Sequence, residues 1–252
     1  METTSTQQNT VIKAIVLDIE GTTCPVTFVS QTLFPFARRQ LSKTICSENR
    51  PSNVTAAIEE AIAEWKNDPE SKSQALLLRA SNQNQPTSED IIHYFDHLIQ
   101  NDRKSTALKE LQGIIWEQGY AAGELQSPLY GDVVPALNAW TQQGITLAVY
   151  SSGSVKAQQL LYAHTTDGDI TNRFSQWFDT RTGPKLNADS YRIISQSIGL
   201  KPASILFVSD HPRECDAAAE AGMETRFCLR EGNPFSDGGD HQMIHNLGEI
   251  KL

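Results

Sequence analysis

Three short, almost continuously apolar runs are the most regular feature of the chain. They span residues 11–19 (VIKAIVLDI), 145–150 (ITLAVY) and 204–208 (SILFV). Runs of this length, rich in β-branched residues, are typical of strands that are buried on both faces of a parallel sheet. A fourth strand is predicted over residues 224–229. The hydrophobic pattern therefore predicts a sheet whose central strands are parallel.

Helical periodicity fills the intervals between the later strands. Residues 133–140, 157–164 and 191–198 carry apolar side chains at helical spacing, and a further helix is predicted over residues 213–221. Gly199 predicts the end of the third of these helices, because glycine readily adopts the backbone conformation that ends a helix. Strands that alternate with helices predict an α/β fold with a doubly wound, mostly parallel sheet and right-handed crossovers.

A long helical insertion separates the first strand from the second. From about residue 27 to residue 123 the pattern is helical, with almost no strand signal. Thr87, followed three residues later by an acid, predicts the start of one of its helices. We therefore expect a core formed by residues 1–24 and 128–252, and an inserted helical cap domain formed by residues 25–127.

Composition argues against a few classes of protein but does not indicate a function. The 252 residues carry 30 acids and 21 bases, a net charge of −9, which argues against a nucleic-acid-coating protein. The ten N-terminal residues do not resemble a signal peptide, and no apolar run is long enough for a membrane span. The four cysteines form no CxxC pair, so a reducing cytoplasmic location is expected, with the nucleus also open for a eukaryotic protein. A monomer is expected. The polar, glycine-rich residues 232–252 predict an irregular tail.

Side chains capable of chemistry follow the predicted strands or stand in a loop before a helix. In an open α/β sheet the carboxyl ends of the strands line the active crevice, so we expect these side chains to lie near one another. The candidates are Asp18 and Glu20 after the first strand, Ser151 and Ser152 after the second, Lys185 in a loop before a helix, and Asp210 after the third.

This set of residue types suits phosphoryl transfer through an aspartyl phosphate. Asp18 can attack phosphorus if the negative charges are screened. Together with Glu20 and Asp210 it offers the oxygen ligands that Mg²⁺ prefers. The Ser151 hydroxyl and a following helix N-terminus can bind phosphate oxygens, and Lys185 adds a compact positive charge. Glu20 can protonate the leaving oxygen and then activate a water molecule.

Four motifs in order carry a resemblance to a known family. They are DIEGTT at 18–23, SSGS at 151–154, GPK at 183–185 and SDHPRE at 209–214. This series resembles the haloacid dehalogenase superfamily of phosphatases, and the helical insertion resembles the first type of cap in that superfamily. Glu20, in place of the usual aspartate, together with YSSGSVKAQ and SDHPRECDAA, is similar to one branch: the enolase-phosphatases, or acireductone synthases, of methionine salvage.

The resemblance implies a specific reaction and a specific site. A small phosphorylated diketone, 2,3-diketo-5-methylthiopentyl-1-phosphate, would be enolised and then dephosphorylated to an acireductone. Neither nucleic acid nor a membrane is implied as a partner. By the same resemblance, one Mg²⁺ per chain is held by Asp18, Glu20 and Asp210, and substrate is held by Ser151, Ser152 and Lys185.

Several alternatives remain open at this point. The base that removes the proton during enolisation is either Glu20, whose side chain reaches one methylene further than aspartate, or a residue of the cap. Glu214 matches an acid found in many superfamily members, as a ligand or as a partner of one. Another Mg²⁺-dependent phosphatase or a dehalogenase could use the same fold, and a phospho-accepting signalling domain also combines an aspartate, a hydroxyl and a lysine. A dinucleotide-binding enzyme is disfavoured, because no GxGxxG motif follows the first strand.

Overall fold

The computed structural model describes two compact units. One comprises Ser30–Leu125, and the other comprises Met1–Val29 with Gln126–Leu252. The ranges described are 11–81, 85–101, 103 and 105–252. The polar segment 1–10, for which no signal peptide is expected, lies outside them. The division into a phosphatase core and a cap domain, with the bounds given above, stays a prediction.

The elements alternate as the hydrophobic pattern predicts. The helices of the described residues are α1 (Val26–Phe28), α2 (Phe34–Ile45), α3 (Ser52–Lys66), α4 (Ser71–Ser81), α5 (Ser88–Gln100), α6 (Thr106–Ala121), α7 (Val133–Gln142), α8 (Val155–Ala163), α9 (Ala188–Ile198) and α10 (Pro212–Glu220). The strands are β1 (Ala14–Leu17), β2 (Thr146–Tyr150), β3 (Gln176–Phe178), β4 (Ile205–Ser209), β5 (Glu224–Cys228) and β6 (Met243–Ile244). Within the described part of the chain, every helix is too short or too polar to cross a bilayer.

The strands form one parallel sheet in the order β3-β2-β1-β4-β5-β6. The four residues of β1 are fully buried, because β2 and β4 pair with its two edges and side chains pack on both faces. This burial explains why the strand reads as a continuous apolar run instead of an alternating one. The prediction of a doubly wound parallel α/β sheet is confirmed.

One face of the sheet packs against α9 and α10. Val16, Tyr150 and Phe207 on this face belong, with Tyr191 and Ile194 of α9, to a single cluster of buried side chains. Tyr191 meets the rings of Tyr150 and Phe207 edge-on, with centroids 5.5 and 5.0 Å away. Edge-on aromatic pairs of this kind add stability beyond the area they bury. They attach α9, and the loop that precedes it, firmly to the sheet.

Three details of the sheet differ from the pattern-based expectation. The first strand covers only Ala14–Leu17 of the predicted residues 11–19. Gln176–Phe178 forms a strand that was not predicted, since three residues are too few to show a period. The tail is not wholly irregular, because Met243–Ile244 pairs with β5 at the edge of the sheet. Short edge strands owe their structure to the neighbouring strand more than to their own sequence.

The helices α2 to α6 form the second unit. Trp65 of α3 stacks on Tyr94 of α5, with ring centroids 4.5 Å apart. The predicted helix start at Thr87 is confirmed, because its hydroxyl and the side chain of Asp90 form a reciprocal capping box. This unit therefore has its own aromatic core and its own helix caps.

Candidate active site

Asp18 and Lys185 form the centre of the site. Asp18 follows β1 directly, and its backbone N–H donates to Val208 O of β4 at 2.9 Å. Lys185 Nζ donates to Asp18 Oδ1 at 2.7 Å and lies 2.5 Å from Glu214 Oε2. All three side chains are buried. A single cation therefore joins the end of β1 to the first turn of α10.

The charge on Lys185 is maintained by its two acidic partners. Burial alone would lower the pKa of the lysine, but attraction to Asp18 and Glu214 outweighs burial and raises that pKa. The side chain is thus a fixed ammonium group. Because it holds Asp18 Oδ1, the other oxygen of that carboxylate, Oδ2, is less engaged and lies 3.5 Å from Ser209 Oγ.

The loop that carries Lys185 is attached at several points to the helix that follows it. Tyr191 donates its hydroxyl to Lys185 O at 2.8 Å, and Ser190 donates to Pro184 O at 2.8 Å. Tyr150 of β2 donates to Gly183 O at 2.9 Å. These three hydroxyl groups fix the backbone on which the ammonium group stands, so the position of Lys185 is set by the sheet and α9.

Glu20 and Asp210 are acids whose ionisation is made unfavourable by their surroundings. Burial first, and repulsion from Asp18 next, raise the pKa of Glu20 to about 7 and that of Asp210 to about 8. The same two causes raise the pKa of Glu214 to about 6, although Lys185 and Ser209 oppose them. The site therefore holds more acidic groups than its own lysine can neutralise.

Gly21 brings the first acidic loop close to Asp210. Its φ is 69°, and a Cβ placed there would lie only 2.6 Å from Asp210 Cγ. A side chain at this position would therefore strain the backbone and displace the aspartate. Glycine in the motif is thus required by the close approach of two acidic segments.

The acids meet the chemical requirements of a divalent cation site. Their donors are carboxylate oxygens, which Mg²⁺ prefers, and their raised pKa values show that added positive charge would be favourable. Within the described residues, no three His, Cys, Asp or Glu side chains stand in the arrangement of a formed metal site. The residues fit the ion chemically, and the ligand set Asp18, Glu20 and Asp210 stays a prediction.

The two predicted serines have different surroundings. Ser151 is buried at the end of β2, and its Oγ accepts a hydrogen bond from Gly153 N at 3.3 Å. Ser152 is exposed. Ser154 caps α8 by accepting from Ala157 N. The loop thus presents one buried and one exposed hydroxyl group just before a helix N-terminus, while its third serine completes that helix.

Two further side chains of the site lie within the quoted motifs but are not among the predicted site residues. Gln158 of α8 donates to Gly153 O and Phe178 O, both at 2.8 Å, and so holds the serine loop against β3. Ser209 donates to Glu214 Oε2 at 2.8 Å. Their roles depend on contacts across the sheet. Glu214 also belongs to the fourth motif, through its spacing from Asp210. Its contact with Lys185 favours the role of partner over that of ligand.

Comparisons with known proteins show similarity along most of the chain. A family model described as haloacid dehalogenase-like hydrolase matches residues 12–222. A protein of Prochlorococcus marinus named enolase-phosphatase E1 is 50% identical over 94% of this chain and 96% of its own. A protein of the same name from a Synechococcus strain is 49% identical over 94% and 95% of the two chains. The crystal structure of the yeast UTR4 protein has a TM-score of 0.76 at 30% identity, covering 95% of this chain and all of the other.

The match therefore extends well beyond a shared fold. The family model spans the acidic loop, the serine loop, Lys185 and Asp210, and the named relatives are similar along almost the whole chain. This chain belongs to the enolase-phosphatase E1 family of haloacid dehalogenase-like hydrolases.

Proposed function

We propose that the protein is a Mg²⁺-dependent enolase-phosphatase of methionine salvage. It would convert 2,3-diketo-5-methylthiopentyl-1-phosphate to an acireductone and phosphate. The observation that carries the proposal is the buried Asp18–Lys185 pair with Glu20 two residues further on, in a chain of this family. Phosphoryl transfer needs a nucleophilic carboxylate and a fixed cation, and a second carboxyl group close by can move the protons of both steps.

Asp18 is the nucleophile of the phosphatase step in this proposal. Its less engaged oxygen, Oδ2, forms a bond to phosphorus while the bond between phosphorus and the substrate's oxygen breaks. Glu20 donates a proton to that leaving oxygen. It then takes a proton from the water molecule that attacks the aspartyl phosphate, and the release of phosphate restores Asp18.

Lys185 and the serine loop would hold the substrate's phosphate. Lys185 is a permanent positive charge next to Oδ1 of the nucleophile. Ser151 and Ser152 supply hydroxyl groups, and the N-terminus of α8 adds backbone N–H groups and a favourable dipole. These groups would stabilise the negative charge on the phosphate oxygens while the phosphoryl group is transferred to Asp18.

Asp18, Glu20 and Asp210 would hold the cation. When bound, Mg²⁺ neutralises phosphate charge and polarises a carbonyl oxygen, which makes the neighbouring proton more acidic. The excess of buried acids over bases at the site supports this assignment.

The decisive experiment supplies the diketone phosphate and follows enol absorbance and phosphate release separately. We expect both signals, both lost on adding EDTA and both restored by Mg²⁺. Release of phosphate from simple esters without an enol signal would instead make the protein an ordinary phosphatase of this fold. Stable phosphorylation without turnover would favour a signalling domain.

Shortening Glu20 tests its part in enolisation. In Glu20→Asp the carboxyl retains a similar intrinsic pKa but loses the reach of one methylene. If Glu20 is the base, we expect the enol to form about 10²-fold more slowly, the lower end of the range for general base catalysis. The measurement is the initial rise in enol absorbance, and Glu220→Asp, an exposed change on α10, is the matched control. A normal rate in Glu20→Asp would assign the base to another residue, such as one in the helical insertion.

The remaining assignments concern the setting of the enzyme. We propose that residues 25–127 are its cap domain, that the protein is a monomer and that it is cytoplasmic. All four cysteines are free thiols, three of them buried, and free thiols are typical of a reducing compartment.

A further inference from the structure

Two side chains that follow β5 bind the backbone of the acidic loop. Asn233 Nδ2 donates to Gly21 O at 2.9 Å and to Cys228 O at 3.2 Å. Arg230 Nη2 donates to Thr22 O at 3.0 Å. The carbonyl groups of two consecutive residues, directly after Glu20, are therefore held by a segment that is more than two hundred residues away in sequence.

Arg230 is itself held rigidly. Its guanidinium group forms a bidentate ion pair with Asp132, with both N···O distances 2.8 Å. Its Cζ lies 4.3 Å from the ring centroid of Tyr130. Arg230 Nη1 also donates to His245 O at 2.9 Å. A buried, planar and fully charged group with this many partners is a fixed support. Arg230 thus anchors the segment after β5 three residues ahead of Asn233, the residue that binds Gly21 O.

Asn233 also touches the point where the loop approaches Asp210. A Cβ built on Gly21 would lie 2.8 Å from Asn233 Oδ1 and 2.6 Å from Asp210 Cγ, so both side chains border the same backbone atom. Among the described residues, the buried Asn233 Oδ1 has no hydrogen-bond partner. An unpaired buried acceptor costs stability, and this one lies beside the backbone of Gly21, near the carboxylate of Asp210.

We propose that Asn233 is a positioning residue of the cation site. By holding Gly21 O, its amide sets the distance between the loop that carries Asp18 and Glu20 and the carboxylate of Asp210. Only the activity part of the test rests on the proposed enolase-phosphatase function, because the metal part needs no substrate.

The test replaces the amide by an apolar group of the same shape, Asn233→Leu. Mn²⁺ alone is titrated into the purified full-length protein by calorimetry, and kcat and KM are measured with the diketone phosphate. We expect Mn²⁺ affinity to fall about tenfold and kcat to fall about 30-fold with KM within about threefold, since a shift of about 1 Å at a catalytic group can cost 10²-fold. The matched control is Asn246→Leu, in which the replaced amide is also half-buried but donates to Glu249.

The metal titration separates this proposal from the proposed function. If the wild-type protein binds Mn²⁺ but does not enolise the diketone, the proposed function fails, and the Mn²⁺ affinity of Asn233→Leu still decides the positioning role. Unchanged Mn²⁺ affinity in a folded Asn233→Leu protein would overturn the role, and so would an equal loss in Asn246→Leu. If circular dichroism shows that Asn233→Leu is unfolded, Asn233→Ala gives the same comparison with a smaller side chain.

Discussion

Asp18→Asn is expected to abolish phosphate release, by about 10⁴-fold or more, as loss of a covalent nucleophile does in other enzymes. The amide has nearly the same shape as the carboxylate but is a far poorer nucleophile. Lys185 keeps Glu214 as its charged partner, so the variant should fold. The measurement is phosphate release under saturating substrate and Mg²⁺, with circular dichroism to check the fold.

A matched control separates the effect of losing a negative charge from the effect of losing the nucleophile. Asp216→Asn removes one negative charge from an exposed position on α10, where the carboxylate contacts only His241 among its described partners. We expect that change to leave phosphate release within about twofold. Near-normal release in Asp18→Asn would rule out this residue as the nucleophile and would move the reaction away from an aspartyl phosphate.

Lys185→Met is expected to have the second largest effect, because it affects both catalysis and stability. The variant leaves Asp18 and Glu214 buried without their shared cation. Removing one partner of a buried ion pair costs about 3–5 kcal/mol of unfolding free energy. We also expect kcat to fall about 10³-fold, the size of effect seen when a preorganised charge-stabilising donor is removed. Urea unfolding in EDTA measures the stability, and Lys201→Met, at an exposed lysine, is the control.

The stability loss in Lys185→Met should depend on pH in a defined direction. The pKa of Glu214 is already raised to about 6, and losing Lys185 removes an interaction that lowers it, so this pKa rises further in the variant. A raised pKa means that the folded state binds protons more tightly than the unfolded chain, so the variant gains relative stability as the pH falls. We expect the difference from wild type to be larger at pH 8 than at pH 5. A difference that grows towards pH 5 would contradict the ion-pair account.

Most of the architecture could be predicted from hydrophobic periodicity. The central strands β1, β2 and β4 are buried on both faces, so their sequences are continuous apolar runs. Such runs can be recognised in the sequence without a structure. The edge strand Gln176–Phe178 and the pairing of Met243–Ile244 could not be predicted in this way. Both are too short to show a period, and their strand conformation depends on hydrogen bonds to a neighbour already in place.

The candidate site likewise has features that can be predicted from the sequence and features that cannot. The sequence motifs indicate the family through their resemblance to it. The hydrophobic pattern predicts the nucleophile candidate Asp18 and the set of acids, serines and lysine, because each stands next to a predicted strand or helix boundary. Two other features are visible only in three dimensions. Lys185 bridges Asp18 and Glu214, and Asn233 and Arg230 hold the carbonyl groups of Gly21 and Thr22. These contacts join residues far apart along the chain, and hydrogen bonds and ion pairs depend on distances of a few ångströms that a linear pattern does not contain.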